Sequence, residues 1–226
     1  MPEPEAPSAA LTLDSLAERA LALVPAGGGR AVLGIAGSPG AGKSTLAAAL
    51  ARHVNDLQGA AAFAAPLPMD GYHLAESTLR GLGRLDRKGA IDTFDGWGFV
   101  SLLSRLREET GHTVYAPSFD RRVEEPIAGE HAVEPETRLV IVEGNYLLAD
   151  VEPWSRVKGL LDEAWFCETP VSERERRLVA RHELGGRSHE AAVDWAHNVD
   201  GRNALLIEAT AARADLVISG QLPALS

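Results

Sequence analysis

The chain of 226 residues carries a formal net charge of −10, a hydrophobic fraction of 45% and one cysteine. This length suits one α/β domain with its own core, and the composition is ordinary for a soluble globular protein. The acidic balance argues against a general binder of nucleic acid or anionic membranes, and a single cysteine excludes an internal disulfide or a cysteine-based metal cluster.

The N-terminal part of the chain predicts a tail followed by a packing helix. Residues 1–10 are acidic and Pro-rich without a signal-peptide pattern, which predicts a disordered tail. Apolar residues at helical spacing over 13–24 predict the helix. No apolar run approaches the roughly 20 residues that cross a bilayer. We therefore expect a cytoplasmic protein that binds neither membranes nor nucleic acids.

The most informative stretch is a phosphate-binding loop at residues 37–44. A short apolar run over 31–35 predicts a buried strand, GSPGAGKS matches G-x-x-x-x-G-K-[ST], and TLAAALARHV predicts a helix. Glycines let the backbone N–H groups turn toward an anion, and the helix start adds the positive end of its dipole. We expect Lys43 to bind the outer phosphates and the Ser44 hydroxyl to bind Mg²⁺. The predicted nucleotide-binding residues are Gly37, Ser38, Pro39, Gly40, Ala41, Gly42, Lys43, Ser44 and Thr45.

A second set of polar residues follows the second predicted strand, residues 60–65. This set contains Asp70, Tyr72 and His73 among Pro and Gly residues. In an open parallel sheet the carboxyl ends of the strands meet at one edge, where ligands bind. We therefore expect the Asp70 carboxylate on the same edge as the phosphate loop.

The middle of the chain has weaker patterns. Residues 75–98 are rich in Gly and charge without a clear period, which predicts an ordered loop with a short helix. A helix over 99–109, a strand over 113–116 and a polar surface excursion over 123–137 are predicted next.

The clearest strand after the first, residues 138–142, ends in Glu143. An apolar run that ends in a carboxylate is typical of the Walker-B partner that helps to hold Mg²⁺. A strand-end glutamate exposed to solvent is the alternative, but the phosphate loop upstream favours the metal role. Ser44 and Glu143 are therefore the predicted metal ligands.

The C-terminal third predicts a basic lid. The helix predicted over 171–182 carries Arg177 and Arg181, which share a face because they are four residues apart. Arginine can stabilise charge on a transferred phosphoryl group. We interpret residues 171–200 as a helical lid, with a solvated basic face as the alternative. The other elements predicted here are a short helix over 153–161, a strand over 163–167, helices over 189–199 and 204–214, and a last strand over 216–218.

Together these parts favour phosphoryl transfer. Phosphate loops also serve GTPases and motor ATPases, but the guanine-reading N-K-x-D is absent and the chain is short for a motor. A carboxylate beside a triphosphate site suits transfer of the γ-phosphoryl group to an alcohol. Asp70 would accept the hydroxyl proton, and Lys43, Arg177 and Arg181 would hold the developing charge.

The order of the motifs adds a family resemblance. GSPGAGKST, MDGYHL, RKGAIDTFD, VYAPSFDR, IVEGNYLL, RLVARH and RNALLIEATAARADLVI together resemble the phosphoribulokinase/uridine kinase superfamily over most of the chain. Within it, the pattern is most similar to the bacterial nucleoside/nucleotide-kinase-like group labelled fructose-transport-system kinases, which are relatives of type I pantothenate kinase.

The resemblance implies a P-loop NTPase fold of three α/β/α layers, with a mostly parallel five-stranded sheet and a helical lid, in a single domain over residues 1–226. It implies ATP and Mg²⁺ as cofactors, a small-molecule hydroxyl substrate and Asp70 as the catalytic base, and it is compatible with a homodimer. It also implies that Asn203 contacts the substrate and that Tyr72, His73 and Arg121 line the acceptor pocket.

The identity of the acceptor is left open. A sugar such as fructose comes first, and a nucleoside or a pantothenate-like vitamin is the alternative. The run Tyr115-Ala-Pro-Ser-Phe119 replaces the Tyr-Ser-His of pantothenate kinases, which argues against pantothenate, and no nucleoside-stacking signature is evident. From other classes, the alternatives are a regulatory protein that binds nucleotide without transfer and a nucleotide-hydrolysing assembly factor.

Overall fold

A computed structural model describes residues 11–221, which contain seven strands and seven α-helices. The strands are β1 (Ala31–Ala36), β2 (Ala64–Pro68), β3 (Val114–Asp120), β4 (Glu125–Val133), β5 (Leu139–Gly144), β6 (Glu163–Glu168) and β7 (Leu216–Ser219). The helices are α1 (Leu13–Ala22), α2 (Lys43–Gln58), α3 (Glu76–Leu82), α4 (Gly96–Glu108), α5 (Val171–Leu184), α6 (His189–Trp195) and α7 (Gly201–Glu208). The predicted N-terminal tail, residues 1–10, lies outside the described residues. Among those that are described, no helix combines the length and the apolar character that a membrane crossing requires.

Five strands form one parallel sheet in the order β2-β5-β1-β6-β7. The inner strands β1 and β5 are buried along their whole length, because helices cover both faces and such a sheet needs nearly continuous apolar runs. One face packs against α1 and α2 through residues such as Leu16 and Leu50, and the other packs against α4 through Phe99. The predicted α/β/α P-loop fold with a five-stranded parallel sheet is confirmed.

The second strand begins later than predicted. β2 covers Ala64–Pro68 instead of residues 60–65. Asn55 explains the difference, because its amide group donates to the carbonyls of Ala61 and Ala64 and so holds the start of the apolar run in a turn. β2 tolerates its two prolines since it lies at the edge of the sheet.

β3 and β4 form a separate antiparallel hairpin. The segment over 123–137, predicted as a polar surface excursion, is largely exposed, but it contains the strand β4, which the sequence did not predict. The strand was missed because its polar residues lack the apolar alternation that marks a half-buried strand. The hairpin lies against the turn that follows β2. A Cβ atom on Gly71 would lie 2.0 Å from the Pro117 carbonyl oxygen, so direct backbone packing fixes the hairpin at the carboxyl edge of the sheet.

Some helical bounds also differ from the prediction. Residues 189–208 run as α6, a single π turn and α7, instead of helices over 189–199 and 204–214. Residues 154–160 form two short 3₁₀ turns rather than one helix. The segment over 75–98, predicted as an ordered loop with a short helix, contains the short helix α3 and also the first turn of α4.

Arg30 stabilises the sheet at the start of β1. Its buried guanidinium donates to the carbonyls of Leu106 at 2.8 Å and of Glu134 and Thr137 at 3.0 Å each. Burial lowers the pKa of Arg30. We expect Arg30→Met to lower the free energy of unfolding by about 3 kcal/mol, since each buried polar group left unpaired costs ~1–3 kcal/mol and the site relaxes in part.

Urea unfolding followed by circular dichroism measures this loss. Arg80→Met is the control, because the exposed Arg80 side chain pairs with Glu76 on the surface of α3, and such a pair contributes at most ~1 kcal/mol. Equal losses in the two variants would contradict the role assigned to Arg30.

Candidate active site

The loop between β1 and α2 has the glycine-dependent backbone that phosphate binding requires. Gly40 and Gly42 have φ angles of 76° and 96°, in the left-handed region that favours glycine. A Cβ atom on Gly40 would lie 2.8 Å from the Arg174 carbonyl oxygen, so α5 packs directly against the loop. On the other side, the Thr169 hydroxyl donates to the Ala41 carbonyl at 2.9 Å. Close packing therefore holds the loop in place.

Cys167 supports the same loop. Its thiol donates to the Ala41 carbonyl at 3.2 Å. Burial raises the pKa of Cys167 to about 11, so the thiol stays protonated at neutral pH. A protonated, buried thiol is a packing group rather than a nucleophile.

Lys43 opens α2, and its side chain folds back into the loop, with 7% of the residue exposed. Nζ donates to the Ser38 carbonyl at 3.0 Å and to Asn145 Oδ1 at 2.8 Å. Burial lowers the pKa of Lys43, and the charges of Glu143 and Asp70 oppose this shift. Asn145 was absent from the predicted site residues, although its position directly after β5, at the carboxyl edge, is a signal that could have identified it.

Ser44 and Glu143 bring two oxygen ligands together. The Ser44 hydroxyl donates to the Glu143 carboxylate at 2.7 Å. Burial, with the charge of Asp70, raises the pKa of Glu143, while Lys43 opposes the shift. Within residues 11–221, no group of three or more His, Cys, Asp or Glu side chains is arranged to hold a metal ion. The pair nevertheless fits Mg²⁺, which prefers oxygen ligands and takes most of them from water and phosphate.

Asp70 lies at the edge of the sheet where the sequence predicts it. It is part of a 3₁₀ turn directly after β2, and Pro68 at the end of β2 pairs with Glu143 at the end of β5. The Asp70 carboxylate accepts a hydrogen bond from the Arg121 guanidinium at 2.8 Å. Asp70, Arg121 and the two candidate metal ligands therefore meet at one edge.

The Asp70 carboxylate is ionised at neutral pH. Burial acts to raise its pKa, but His73, when its ring is protonated, and the charges of Arg121 and Lys43 outweigh burial, and the pKa lies below its usual value. Burial also lowers the pKa of His73, so this ring is neutral at pH 7 and Arg121 and Lys43 are the lasting charges. The His73 Nδ1–H donates to the Asp70 carbonyl at 2.7 Å, since a carbonyl can only accept.

A cavity of about 630 Å³ opens beside Asp70, between the phosphate loop and the β3–β4 hairpin. Ser44 and Glu143 line one part of it, and Ser118 and Glu130 of the hairpin line another. A small ligand in this cavity can therefore touch the candidate base and the candidate metal ligands together.

Three further predicted site residues, Tyr72, His73 and Asn203, make packing contacts and hydrogen bonds with other parts of the protein. Tyr72 packs edge-on against Phe99 at a centroid distance of 5.4 Å, and burial raises its pKa to about 12. The His73 ring stacks between two phenylalanine rings at centroid distances of 4.0 and 4.5 Å. Asn203 Nδ2 donates to the Gly89 carbonyl at 3.2 Å. Contact between these three residues and an acceptor stays a prediction.

The predicted lid helix, α5, lies against the phosphate loop. Arg177 Nη1 donates to the Gly40 carbonyl at 3.3 Å. Arg181 lies one turn further along α5, and its positive charge lowers the pKa of both Lys43 and Asp70. Burial lowers the pKa of Arg181. α5 therefore brings Arg177 into contact with the phosphate loop and Arg181 within electrostatic range of Lys43 and Asp70.

Arg174 is a third arginine of α5, and it was not among the predicted site residues. It is buried and donates to Glu208 Oε1 at 2.5 Å, and the same oxygen accepts the Ser38 hydroxyl at 3.3 Å. These contacts join α5, α7 and the phosphate loop. Its spacing could have identified it, because residues three apart on a helix share a face and Arg177 follows at that distance.

We expect Arg181→Ala to lower turnover by about 100-fold and to change the KM for the acceptor by less than about threefold, because charge on the transferred group develops only in the transition state. Steady-state kinetics at saturating ATP measures both. Arg176→Ala is the control, since Arg176 is exposed on the same helix and pairs with Glu173. A raised acceptor KM with unchanged turnover would place Arg181 in ground-state binding instead.

The sequence and the fold of this chain are similar to those of known proteins. No family model matches the chain. A Schizosaccharomyces pombe protein named provisionally as a uridine kinase is 35% identical over 198 residues, which cover 84% of this chain and 83% of that protein. A crystal structure from Silicibacter sp. TM1040, named provisionally as a fructose transport system kinase, is 40% identical with a TM-score of 0.83 and covers 92% of this chain and 98% of that one. The Saccharomyces cerevisiae protein YFH7 matches at 18% identity and a TM-score of 0.77, covering 92% and 98% of the two chains, and shows the fold alone.

Proposed function

Because the chain belongs to the uridine kinase-like family of P-loop kinases, we propose that it transfers the γ-phosphoryl group of ATP to a hydroxyl group of a small metabolite. The observation that carries the proposal is the position of the Asp70 carboxylate, which lines the same cavity as Ser44 and Glu143 and accepts a hydrogen bond from Arg121. A protein that only senses nucleotide has no use for a carboxylate at this place.

In the proposed reaction, the acceptor oxygen attacks the γ-phosphorus, the bond from the γ-phosphorus to the bridging oxygen breaks, and ADP leaves. Asp70 accepts the hydroxyl proton, and its low pKa is adequate because the proton leaves late in a loose transition state. Lys43, Arg177 and Arg181 hold charge on the phosphates. Ser44 and Glu143 would hold Mg²⁺, which neutralises charge on the outer phosphates when it is bound.

A fructose-like sugar is the acceptor we place first. The cavity wall contains the carboxylates of Asp70 and Glu130 and the hydroxyl of Ser118. These groups accept hydrogen bonds from the several hydroxyl donors of a sugar. Phe119 also lines the cavity and offers an apolar ring beside them. The relative named provisionally as a fructose transport system kinase supports the same class.

A nucleoside is the second candidate. The Schizosaccharomyces pombe relative, named provisionally as a uridine kinase, favours it. The Phe119 ring in the cavity wall is a surface on which a base could stack. Because a nucleoside also carries a sugar, both candidates present a hydroxyl group to Asp70.

The test is a panel of sugars, nucleosides and vitamin alcohols incubated with ATP and Mg²⁺, with phosphorylated products identified by mass spectrometry. We expect a phosphorylated sugar, and a phosphorylated nucleoside would support the second candidate. ATP binding without a product from any acceptor would favour the regulatory alternative. Glu130→Gln is a useful companion variant, since it should raise the KM for a sugar more than the KM for ATP.

A further inference from the structure

The ammonium group of Lys43 is held by an amide rather than by a carboxylate. Asn145 Oδ1 accepts from Lys43 Nζ at 2.8 Å, and the Ser38 carbonyl accepts from the same nitrogen at 3.0 Å. The oxygen of Asn145 must face Lys43 because an ammonium group has only donors. With two of its three N–H groups engaged, the ammonium retains one for an incoming phosphate.

The nearby carboxylate is engaged elsewhere. Glu143, two residues before Asn145, accepts the Ser44 hydroxyl at 2.7 Å. A carboxylate bound directly to Lys43 would form a charge-assisted bond and would compete with phosphate for the ammonium. The amide oxygen of Asn145 fixes the direction of the ammonium and adds no negative charge.

The residues on both sides of Asn145 are closely packed. Gly144 pairs with Ala36 of β1, and a Cβ atom on Gly144 would lie 2.5 Å from Met69 Cβ. On the other side, the buried Tyr146 donates its hydroxyl to the Gly89 carbonyl at 2.7 Å. Contacts on both sides therefore hold the backbone that carries the Asn145 side chain.

We infer that Asn145 is a positioning residue that directs the Lys43 ammonium at the outer phosphates and leaves its positive charge available to them. The expected effect of Asn145 on turnover rests on the proposed function. Its consequence for nucleotide binding can be measured without any acceptor.

The experiment compares Asn145→Ala and Asn145→Asp by titration calorimetry with ATP and with AMP, and by turnover with the best acceptor. We expect Asn145→Ala to lower turnover by about tenfold and to change the Kd for ATP by less than about threefold, because the charge stays while its direction is lost. We expect Asn145→Asp to weaken ATP binding by at least about tenfold, because the new carboxylate pairs with Lys43. AMP lacks the outer phosphates, and its Kd should stay within about twofold in both variants.

Gln58→Glu is the matched control, because it makes the same amide-to-carboxylate change at the exposed end of α2. It should bind ATP as the parent protein does. Thermal melting of each variant reports whether the fold is kept. Tight ATP binding by Asn145→Asp would overturn the inference, and so would equal losses of ATP and AMP affinity in both variants. If the parent protein binds ATP and phosphorylates no acceptor, the proposed function fails while the binding comparison still decides the role of Asn145.

Discussion

Asp70→Asn is expected to reduce phosphoryl transfer by about 1,000-fold while ATP binding stays within about threefold of the parent protein, because the amide keeps the shape of the side chain and cannot take the acceptor proton. Asp70 lines the cavity together with the candidate metal ligands Ser44 and Glu143 and with residues of the hairpin. The variant also replaces the carboxylate that pairs with the Arg121 guanidinium by a neutral amide, so it removes both the base and one ion pair of the site. Calorimetry with ATP and turnover with the best acceptor separate the two effects.

The control for this variant is Asp56→Asn, which makes the same change at an exposed position near the end of α2. It should retain full turnover. Full phosphoryl transfer by Asp70→Asn would remove Asp70 from the role of base, and the cavity carboxylate at Glu130 would then be the next candidate.

Lys43→Ala is expected to abolish measurable turnover and to weaken ATP binding by at least about 100-fold, because it deletes the cation that reaches the outer phosphates from inside the loop. Removing a buried ammonium group also removes the free-energy cost of its desolvation. The melting temperature should therefore fall less than it does when an apolar core side chain is truncated. Nucleotide titration, turnover and thermal melting together measure these effects.

Lys158→Ala is the matched control. Lys158 lies on a 3₁₀ turn before β6 and its side chain is 38% exposed beside Asp215. Its removal should leave ATP affinity and turnover unchanged. Loss of ATP affinity in both variants would point to a general charge effect rather than to the phosphate loop.

The parts of the fold and the site that depend on local sequence were predictable. The strand, glycine loop and helix around Lys43 follow from the local sequence, because the glycines permit the positive φ angles of the loop and an apolar run and a series of helix formers flank it. The strand that ends in Glu143 was predictable for a similar reason, since an inner parallel strand must be apolar on both faces. The position of Asp70 was then predictable because the carboxyl ends of parallel strands meet at one edge of the sheet.

The parts that depend on distant contacts were not predictable in the same way. β4 is held by pairing with β3 and by packing against Gly71, and its own residues carry no strand pattern. The start of β2 depends on the side chain of Asn55 in the preceding helix. Asn145 acquires a role only because the chain brings it to Lys43, which is 102 residues away in sequence. Such roles come from the assembled sheet edge and not from a motif.

The most direct test of the account is the ratio of phosphorylated acceptor to ADP formed, measured in one reaction by mass spectrometry with the best acceptor of the panel. We predict one phosphorylated acceptor for each ADP in the parent protein, and the loss of both products in Asp70→Asn. ADP and free phosphate formed without a phosphorylated acceptor would contradict the account and would identify a nucleotide hydrolase instead.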